Sequence, residues 1–331
     1  MDENIATGAP ALGGALASAA DALQKVKSEI KKAVIGQDAA LDGMLVTLLC
    51  GGHAIFEGVP GTAKTLMVRA LAAATSLDTK RIQFTPDLMP SDITGTNVFN
   101  LASNSFDLVK GPVFTSLLLA DEINRAPAKT QSALLEGMNE RQVTIDGKRH
   151  ALSSYFTVFA TQNPIEFEGT YPLPEAQLDR FLMKIRIDYP DLAAERAVME
   201  AVGAGKPPDR LENSGIIPVM GPEDLDAIRA ALPQVRVEPE IVEYILKVVR
   251  ATRDHESILV GAGPRGSIFL LVAAKANALI KGRDFATPDD VVAMVNPVLG
   301  HRITLSTDAE IRGGSTEEAM AAILDKTEVP R

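Results

Sequence analysis

Cysteine and tryptophan are scarce in this chain: among its 331 residues there is one cysteine, Cys50, and no tryptophan. A single thiol cannot form an internal disulfide. Cys50 lies in an apolar run with helical character, which is typical of a core residue and not of a nucleophile. Aromatic residues make up only 5% of the chain, which argues against a surface on which the bases of a nucleic acid stack.

Metal-binding patterns are also missing. The chain has only four histidines, which are far apart and match no zinc-binding spacing, so we expect ordinary structural or surface roles for them: His53, His150, His255 and His301. No segment approaches the ~20 apolar residues that cross a bilayer. Residues 1–4 show no basic region before an apolar segment, as a signal peptide would. We therefore expect a cytoplasmic protein with no membrane partner.

Acidic residues outnumber basic ones: the chain has 43 Asp and Glu and 33 Lys and Arg, which gives a net charge of −10. This balance disfavours nucleic acid as a partner, although it leaves room for a local basic pore in a ring. With 46% hydrophobic and 23% charged residues, the composition is that of a globular protein. The length suggests two domains, or one large domain with a subdomain.

A glycine-bearing loop is the most informative segment that is present. It joins a short apolar strand, residues 53–57, to a helix expected over residues 66–74, and consists of Gly58, Val59, Pro60, Gly61, Thr62, Ala63, Lys64 and Thr65. Such a loop directs backbone N–H groups at an anion, and the helix dipole adds to the attraction. The loop, together with Leu66, predicts a site for a nucleoside triphosphate. Lys64 would contact the β- and γ-phosphates, and the Thr65 hydroxyl would bind Mg²⁺.

Ala63 departs from the strict phosphate-loop pattern, which has its second glycine at this position. Alanine is acceptable there if its φ angle is negative, and it carries a steric cost if φ is positive.

Two acids end a second apolar strand, expected over residues 117–121. Asp121 is suited to hold Mg²⁺, and Glu122 is suited to activate the attacking water. Asn163 follows a third apolar strand, residues 156–161. The carboxyl ends of parallel strands form the ligand crevice, so Asn163 is expected beside Glu122, where it could orient that water.

The order of elements predicts an α/β core followed by an all-helical domain. We expect helices over 21–34, 38–49 and 128–140, strands over 81–84 and 182–187, an insertion with a small hairpin at 85–112, and a hairpin at 142–152 with an Asp-Gly type I′ turn. Helices should begin after Gly221 and Thr287. The domains are then a flexible N-terminus (1–20), a nucleotide-binding core (21–192), and a linker with a helical domain (193–331).

Several motifs in order resemble the MoxR family of AAA+ ATPases: GVPGTAKT (58–65), QFTPDLMPSDITG (83–95), LLLADEINRA (117–126), ATQNP (160–164) and EAQLDRF (175–181). The resemblance extends from Val34 to His301, and the family resembles this chain at Ala63 as well. It implies an AAA+ P-loop core, with a parallel sheet flanked by helices, and a C-terminal all-helical lid domain.

The resemblance also implies residue roles. Val34, Ile35 and Gly36 look like the segment that contacts adenine. Arg180 looks like an arginine finger that acts on the nucleotide of a neighbouring subunit, the alternative being a surface ion pair with Asp179 or Glu175. Arg265 looks like the sensor-2 arginine of the lid, acting in cis or in trans, the alternative being a solvated residue early in a helix.

The two insertions look like those that line the pore or substrate face in the family. Lys148 and Arg149, near a hairpin tip, could contact a partner or could simply keep the turn soluble.

The function implied by the resemblance is an ATP-hydrolysing chaperone that uses ATP and Mg²⁺. It forms a homo-oligomeric ring, usually a hexamer, and remodels or activates a partner with a von Willebrand factor A domain, in metal or cofactor insertion or in complex assembly. Two alternatives stay open: a nucleic-acid-stimulated motor of the same AAA+ clade, and a slow ATP-dependent switch or scaffold.

Overall fold

A computed structural model describes residues 13–58, 61–162, 170–205 and 211–330. The first helix, α1, spans Gly14–Ile30. It therefore begins and ends earlier than the predicted 21–34, and residues 14–20, which we expected to be flexible, are helical. The reason is packing: Leu16, Ala19 and Ala20 are buried together with the later apolar residues of the helix.

The α/β core follows the predicted alternation of helices and strands. Its elements are α2 (Asp38–Leu49), β1 (Ala54–Gly58), α3 (Lys64–Thr75), β2 (Thr79–Gln83), α4 (Pro90–Thr94), β3 (Gly95–Asn100), β4 (Ser105–Lys110), β5 (Leu117–Asp121), α5 (Ala128–Glu140), β6 (Gln142–Ile145), β7 (Lys148–Ala151), β8 (Thr157–Gln162), α6 (Glu175–Leu178) and β9 (Met183–Ile187). A short 3₁₀ helix, Ile123–Arg125, follows β5. The bounds of α2, β5 and α5 agree with the prediction, and the other strands shift by small amounts.

The main sheet is parallel, with strand order β2-β5-β8-β1-β9. Its register aligns the carboxyl ends of neighbouring strands, since Gln83 lies opposite Asp121 and Ala120 lies opposite Ala160. Polar residues from β2, β5 and β8 therefore meet at one edge of the sheet, although long stretches of chain separate them. This edge is where a parallel α/β sheet binds its ligands.

Two hairpins leave the core where the sequence predicted them. The insertion at 85–112 contains α4 and the antiparallel pair β3–β4. The second hairpin, β6–β7, turns at Asp146 and Gly147, whose φ angles of 47° and 77° fit the predicted type I′ turn. At the first hairpin, the exposed rings of Phe99 and Phe106 pack edge to face, with centroids 5.2 Å apart.

The C-terminal part is mainly helical. Its helices are α7 (Leu192–Gly203), α8 (Pro222–Ala231), α9 (Pro239–Asp254), α10 (Pro264–Ile280), α11 (Pro288–Leu299), α12 (Thr307–Ile311) and α13 (Thr316–Lys326), with 3₁₀ turns at Leu211–Asn213 and Leu232–Gln234. A short antiparallel ribbon of β10 (Ile258–Val260) and β11 (Thr304–Leu305), which we did not predict, joins these helices. Helices α8 and α11 begin after Gly221 and Thr287, as expected.

Helix α1 connects the two parts of the molecule. Its buried residues Leu23 and Val26 belong to one apolar cluster that also contains Leu71 of α3 and Leu270 of α10. The opposite face of the sheet packs in a second cluster with α5 and the β6–β7 hairpin. Within the described ranges, no helix is both long and apolar enough to cross a membrane.

Cys50 and His53 have the structural roles expected of them. Burial raises the pKa of the Cys50 thiol to about 12, so the thiol stays protonated and is a poor nucleophile. Burial lowers the pKa of His53 to about 4. The neutral ring accepts a hydrogen bond from the Val158 N–H (3.0 Å) and donates one to the Met138 carbonyl (3.1 Å), which ties the start of β1 to β8 and α5.

Candidate functional site

A cavity of about 440 Å³ lies where the phosphate loop meets the carboxyl edge of the sheet. The N-terminus of α3 opens into it, so free backbone N–H groups and the helix dipole favour an anion there. It is lined by Gly61, Thr62, Ala63, Lys64, Thr65, Leu66, Arg69, Asp121, Glu122, Thr161 and Gln162. The structure thus brings most of the predicted phosphate and metal ligands together. Val59, Pro60 and Asn163 lie outside the described residues.

Ala63 adopts a left-handed backbone, with φ 63° and ψ 19°. Alanine would fit here without cost only if its φ were negative. Because φ is positive, Ala63 carries the steric cost. A left-handed conformation costs a residue with a Cβ about 1–2 kcal/mol. The loop tolerates this strain at the residue that precedes the first turn of α3, where the motif otherwise has glycine.

We expect Ala63→Gly to raise the free energy of unfolding by up to about 1 kcal/mol, because the relief of strain exceeds the extra freedom of glycine in the unfolded chain. Urea unfolding followed by circular dichroism measures this difference. The matched control is Ala73→Gly inside α3, which should lower the free energy of unfolding by about 1 kcal/mol. Equal destabilisation by both changes would contradict the strain at Ala63.

Lys64 begins α3, and its ammonium group donates a hydrogen bond to the Gly58 carbonyl at the start of the loop. Burial lowers the pKa of Lys64, and the nearby carboxylates of Asp121, Glu122 and Glu57 oppose that shift. The cation is thus held between the loop and the acids, close to where the phosphates of a nucleotide would lie.

Both oxygens of the Asp121 carboxylate are hydrogen-bonded. Oδ1 accepts from Thr161 Oγ1 at 2.7 Å. Oδ2 accepts from Nη2 and Nε of Arg81, at 2.7 and 3.0 Å. Arg81 lies on β2, and its side chain is half exposed, so it holds Oδ2 from the solvent side.

Glu122 directly follows β5 in a left-handed conformation, with φ 54°. Its Oε2 accepts a hydrogen bond from Gln83 Nε2 at 2.7 Å and pairs with Arg125 Nε at 3.0 Å. Its backbone N–H donates to Thr161 Oγ1 at 2.8 Å. These contacts turn the carboxylate toward β2.

The sequence analysis missed Arg69, Arg81, Gln83, Arg125 and Thr161 as site residues. Arg81 and Gln83 alternate along β2, so they lie on one face of the strand next to the one that carries Asp121. Nothing in the sequence fixes that the two strands are neighbours.

The oxygen donors suit Mg²⁺, a hard cation that takes one or two protein oxygens and completes its shell with phosphate and water. Asp121 and Thr65 line the same cavity and supply such oxygens. In the part of the chain that the structure describes, no group of three or more His, Cys, Asp or Glu side chains could hold a metal ion by itself. The residues present therefore fit a metal bound together with a nucleotide.

The predicted adenine segment lies between α1 and α2. Val34 is buried, and Gly36 has φ 74°. A Cβ at Gly36 would overlap the Cβ of Ala194 in α7, so only glycine fits against that helix. Val34, Ile35 and Gly36 do not line the cavity of the phosphate loop, and their contact with adenine stays a prediction.

Arg180 lies outside the phosphate cavity, beside α5. It lines a separate cavity of about 300 Å³ with Glu136, Asn139 and Gln177. Its Nη1 donates to the Leu135 carbonyl at 3.1 Å. With the Asn139 amide turned so that its oxygen faces the guanidinium, that oxygen accepts from Nη1 at 2.8 Å and from Nε at 3.1 Å.

The surface ion pair weighed for Arg180 does not form. Asp179 instead binds Arg265 (2.8 Å) and Arg302 (3.0 Å), and Glu175 accepts a hydrogen bond from Thr304. Arg180 thus has no carboxylate partner among the described residues, and its cavity shares no lining residue with the cavity of the phosphate loop.

Known proteins resemble this chain in both its α/β core and its helical C-terminal part. Residues 53–183 match the model of an ATPase family associated with various cellular activities (AAA), and residues 250–323 match an AAA lid domain. Chaperone MoxR1 of Mycobacterium tuberculosis is 42% identical over 96% of this chain and 86% of its own length. The chain belongs to the MoxR family of AAA+ ATPases.

Other relatives agree with this assignment. The uncharacterized protein YeaC of Bacillus subtilis is 44% identical over 93% of this chain and 95% of its own length. A crystal structure of a Cytophaga hutchinsonii protein assigned as an ATPase superimposes with a TM-score of 0.88, with 41% identity, and covers 96% of this chain and 97% of that one. The expected AAA+ core with a helical lid is confirmed, as is the resemblance to the MoxR family. An ATPase activity and a nucleotide-binding fold follow from membership of this family.

In this MoxR-family chain, the lid contacts the core next to Arg180. Arg302 of the lid is buried; its guanidinium bonds to Asp179 and donates to the carbonyls of Phe181 and Leu182. Burial lowers the pKa of Arg302 to about 10, and the neighbouring carboxylate of Asp179 opposes this shift. The guanidinium therefore stays charged at neutral pH. Arg265, in the first turn of α10, is half exposed and bound to Asp179. It is therefore neither freely solvated nor part of the phosphate cavity.

Proposed function

We propose that this protein is a Mg²⁺-dependent, ATP-hydrolysing chaperone that works as a homo-oligomeric ring, six subunits being usual in the family. The observation that carries the proposal is the convergence, in one cavity, of the N-terminus of α3 with Lys64, Thr65, Asp121 and Glu122. These groups provide an anion-binding helix end, a cation, a metal-binding hydroxyl and two carboxylates, which is the set that phosphoryl transfer to water requires.

The roles of the residues follow from their chemistry. The loop amides and Lys64 bind the phosphates, and Thr65 and Asp121 hold Mg²⁺. A Mg²⁺ ion held there would supply positive charge against the phosphates. Glu122 accepts a proton from the attacking water, and Asn163 orients that water. Catalysis therefore rests on positioning and electrostatics, without a covalent intermediate.

Glu122 must reorient for this task. In the structure its Oε2 is bound to Gln83 and Arg125, and an acid that holds two donors is a weaker base. Release of these contacts frees the carboxylate to accept a proton. Both partners are polar groups near solvent, and breaking such contacts has a modest cost.

Arg180 supplies a second cation, besides Lys64, for the phosphates of the nucleotide, and it does so from the next subunit. Support comes from its position outside its own phosphate cavity and from the absence of a carboxylate partner in the described ranges. Arg265 acts as the sensor-2 group of the lid, and leaves Asp179 when it does. Val34, Ile35 and Gly36 contact the adenine.

The partner that we propose is a protein with a von Willebrand factor A domain, which the ring remodels or activates during metal or cofactor insertion or complex assembly. The relative from Mycobacterium tuberculosis supports a chaperone role through its name, Chaperone MoxR1. The exposed β3–β4 hairpin, with its apolar tip, is a surface suited to contact a client protein.

The test is a trap. Tagged Glu122→Gln protein is added to native lysate with ATP and Mg²⁺, and co-purifying proteins are identified by mass spectrometry. We expect a protein with a von Willebrand factor A domain to co-purify with ATP and not without it. Lys64→Ala is the matched control: it should bind nucleotide poorly and should therefore retain nothing. Recovery of nucleic acid, or of no partner, would overturn the chaperone proposal and leave the ATPase activity.

A further inference from the structure

Thr161 occupies a central position at the candidate site. It is the penultimate residue of β8 and is buried. The parallel register pairs Ala120 of β5 with Ala160 of β8, so the next residues along the two strands, Asp121 and Thr161, lie side by side. The Thr161 hydroxyl thus reaches the carboxylate of Asp121 and the backbone of Glu122.

The direction of each hydrogen bond is fixed by the chemistry of the groups. The Thr161 hydroxyl has a single proton. The Glu122 N–H can only donate, so Oγ1 accepts from it at 2.8 Å. The proton of Thr161 is therefore free to go to Asp121 Oδ1, 2.7 Å away. One buried side chain connects the carboxylate of Asp121 to the backbone of Glu122.

This arrangement decides how Asp121 faces the cavity. With Oδ1 bound to Thr161 and Oδ2 bound to Arg81, the rotation of the carboxylate is fixed. Arg81 holds Oδ2 in this structure, and its half-exposed side chain can move away at small cost. With Arg81 displaced, the bond to Thr161 would still fix the orientation in which the Asp121 carboxylate lines the cavity.

The same hydroxyl affects Glu122. A left-handed backbone is unfavourable for glutamate, and at Glu122 it is stabilised by the bond from its N–H to Thr161. This backbone conformation sets the direction from which the Glu122 side chain leaves the strand. Loss of the hydroxyl would leave the N–H without its acceptor and would let the residue relax.

We propose that Thr161 is a positioning residue for the reaction: its hydroxyl orients the Asp121 carboxylate for the metal and the Glu122 backbone for the general base. This inference rests on the proposed Mg²⁺-dependent ATPase function. It assigns to Thr161 a role in hydrolysis without contact with the reacting atoms.

The experiment compares Thr161→Val with Thr161→Ser in the full chain. Valine keeps the shape and the branching at Cβ and removes the hydroxyl, whereas serine keeps the hydroxyl. Changes in the outer shell of a metal site typically cost about 10–100-fold. We expect Thr161→Val to lower kcat by about that factor, with a smaller change in KM, and we expect Thr161→Ser to stay within about threefold of the unchanged protein.

A second readout does not depend on turnover. The affinity for Mn²⁺ in the presence of a non-hydrolysable ATP analogue, measured by electron paramagnetic resonance, should fall about 10-fold or more in Thr161→Val. Binding of a fluorescent ADP in the absence of metal should stay unchanged, which also shows that the variant is folded. If Thr161→Val does not fold, Thr161→Cys, whose thiol is a weak donor, is measured in its place.

The outcomes separate the two proposals. If the unchanged protein shows no Mg²⁺-dependent ATPase, the proposed function fails. If it hydrolyses ATP and the valine and serine variants have equal kcat and equal Mn²⁺ affinity, only the positioning role of Thr161 is overturned. A loss of kcat in both variants would also overturn it, because the hydroxyl would then not be the group that matters.

Discussion

Replacement of Glu122 by glutamine should lower ATP hydrolysis by about 10²–10⁴-fold, the range that a general base contributes. Glutamine keeps the size of the side chain and its ability to bond to Gln83, but it cannot accept a proton from water. Since Glu122 is not expected to hold the phosphates, the affinity for ATP should change little. Release of phosphate measures the first effect, and binding of a fluorescent ATP analogue measures the second.

The matched control for this change is Glu243→Gln, on the exposed face of α9. It makes the same chemical change away from the cavity and should leave the rate unaffected. Hydrolysis by Glu122→Gln at more than a tenth of the normal rate would contradict the role of Glu122 as the base. Lost binding of ATP would instead place Glu122 among the groups that hold the nucleotide.

Replacement of Arg180 by alanine should lower hydrolysis by about 10³-fold or more, as removal of an arginine finger does in other nucleotide hydrolases. Arg180 lies in its own cavity beside α5, not at the phosphate loop. Its loss should therefore leave binding of ATP to the same subunit intact. The exposed Arg250→Ala is the control and should retain the full rate.

Mixing of inactive variants tests whether Arg180 acts on a neighbouring subunit. In a ring of Arg180→Ala and Glu122→Gln subunits, some interfaces join an intact base to an intact finger, so activity should return. A mixture of Glu122→Gln with Lys64→Ala has intact fingers but no intact site, and it should stay inactive. If the first mixture also stays inactive while mixed rings form, Arg180 acts within its own subunit or not at all.

The contacts of Asp179 explain why Arg180 is available. Arg302 and Arg265 both bind that carboxylate, so Asp179 holds two lid residues and does not pair with its sequence neighbour Arg180. Arg302 also bonds to the backbone that follows Arg180. The segment that carries the proposed finger is thus fixed by the lid.

The phosphate loop, the paired acids and the extent of α2, β5 and α5 could be predicted from the sequence. Each of these depends on residues that are close together in the chain: a strand, a glycine-bearing turn and a helix N-terminus are local structures with local signals. The family could be recognised for the same reason, since several such motifs occur in order.

The start of α1 and the backbone of Ala63 could not be predicted in this way. Residues 14–20 lack a strong pattern of their own and become helical because Leu16, Ala19 and Ala20 pack against the core. The positive φ of Ala63 follows from the geometry of the whole loop, and a single residue gives no sign of it.

The amino-acid sequence by itself determined which chemical groups this protein has for a nucleotide: Lys64 and Thr65 at a helix end, and Asp121 with Glu122 at a strand end. Only the tertiary structure decided which groups surround them. Arg81, Gln83 and Thr161 reach the two acids because β2, β5 and β8 are neighbours in the sheet, and Asp179 binds lid arginines from far along the chain. Strand order and domain packing arise from the burial of apolar surface over the whole chain, so no local pattern encodes these contacts.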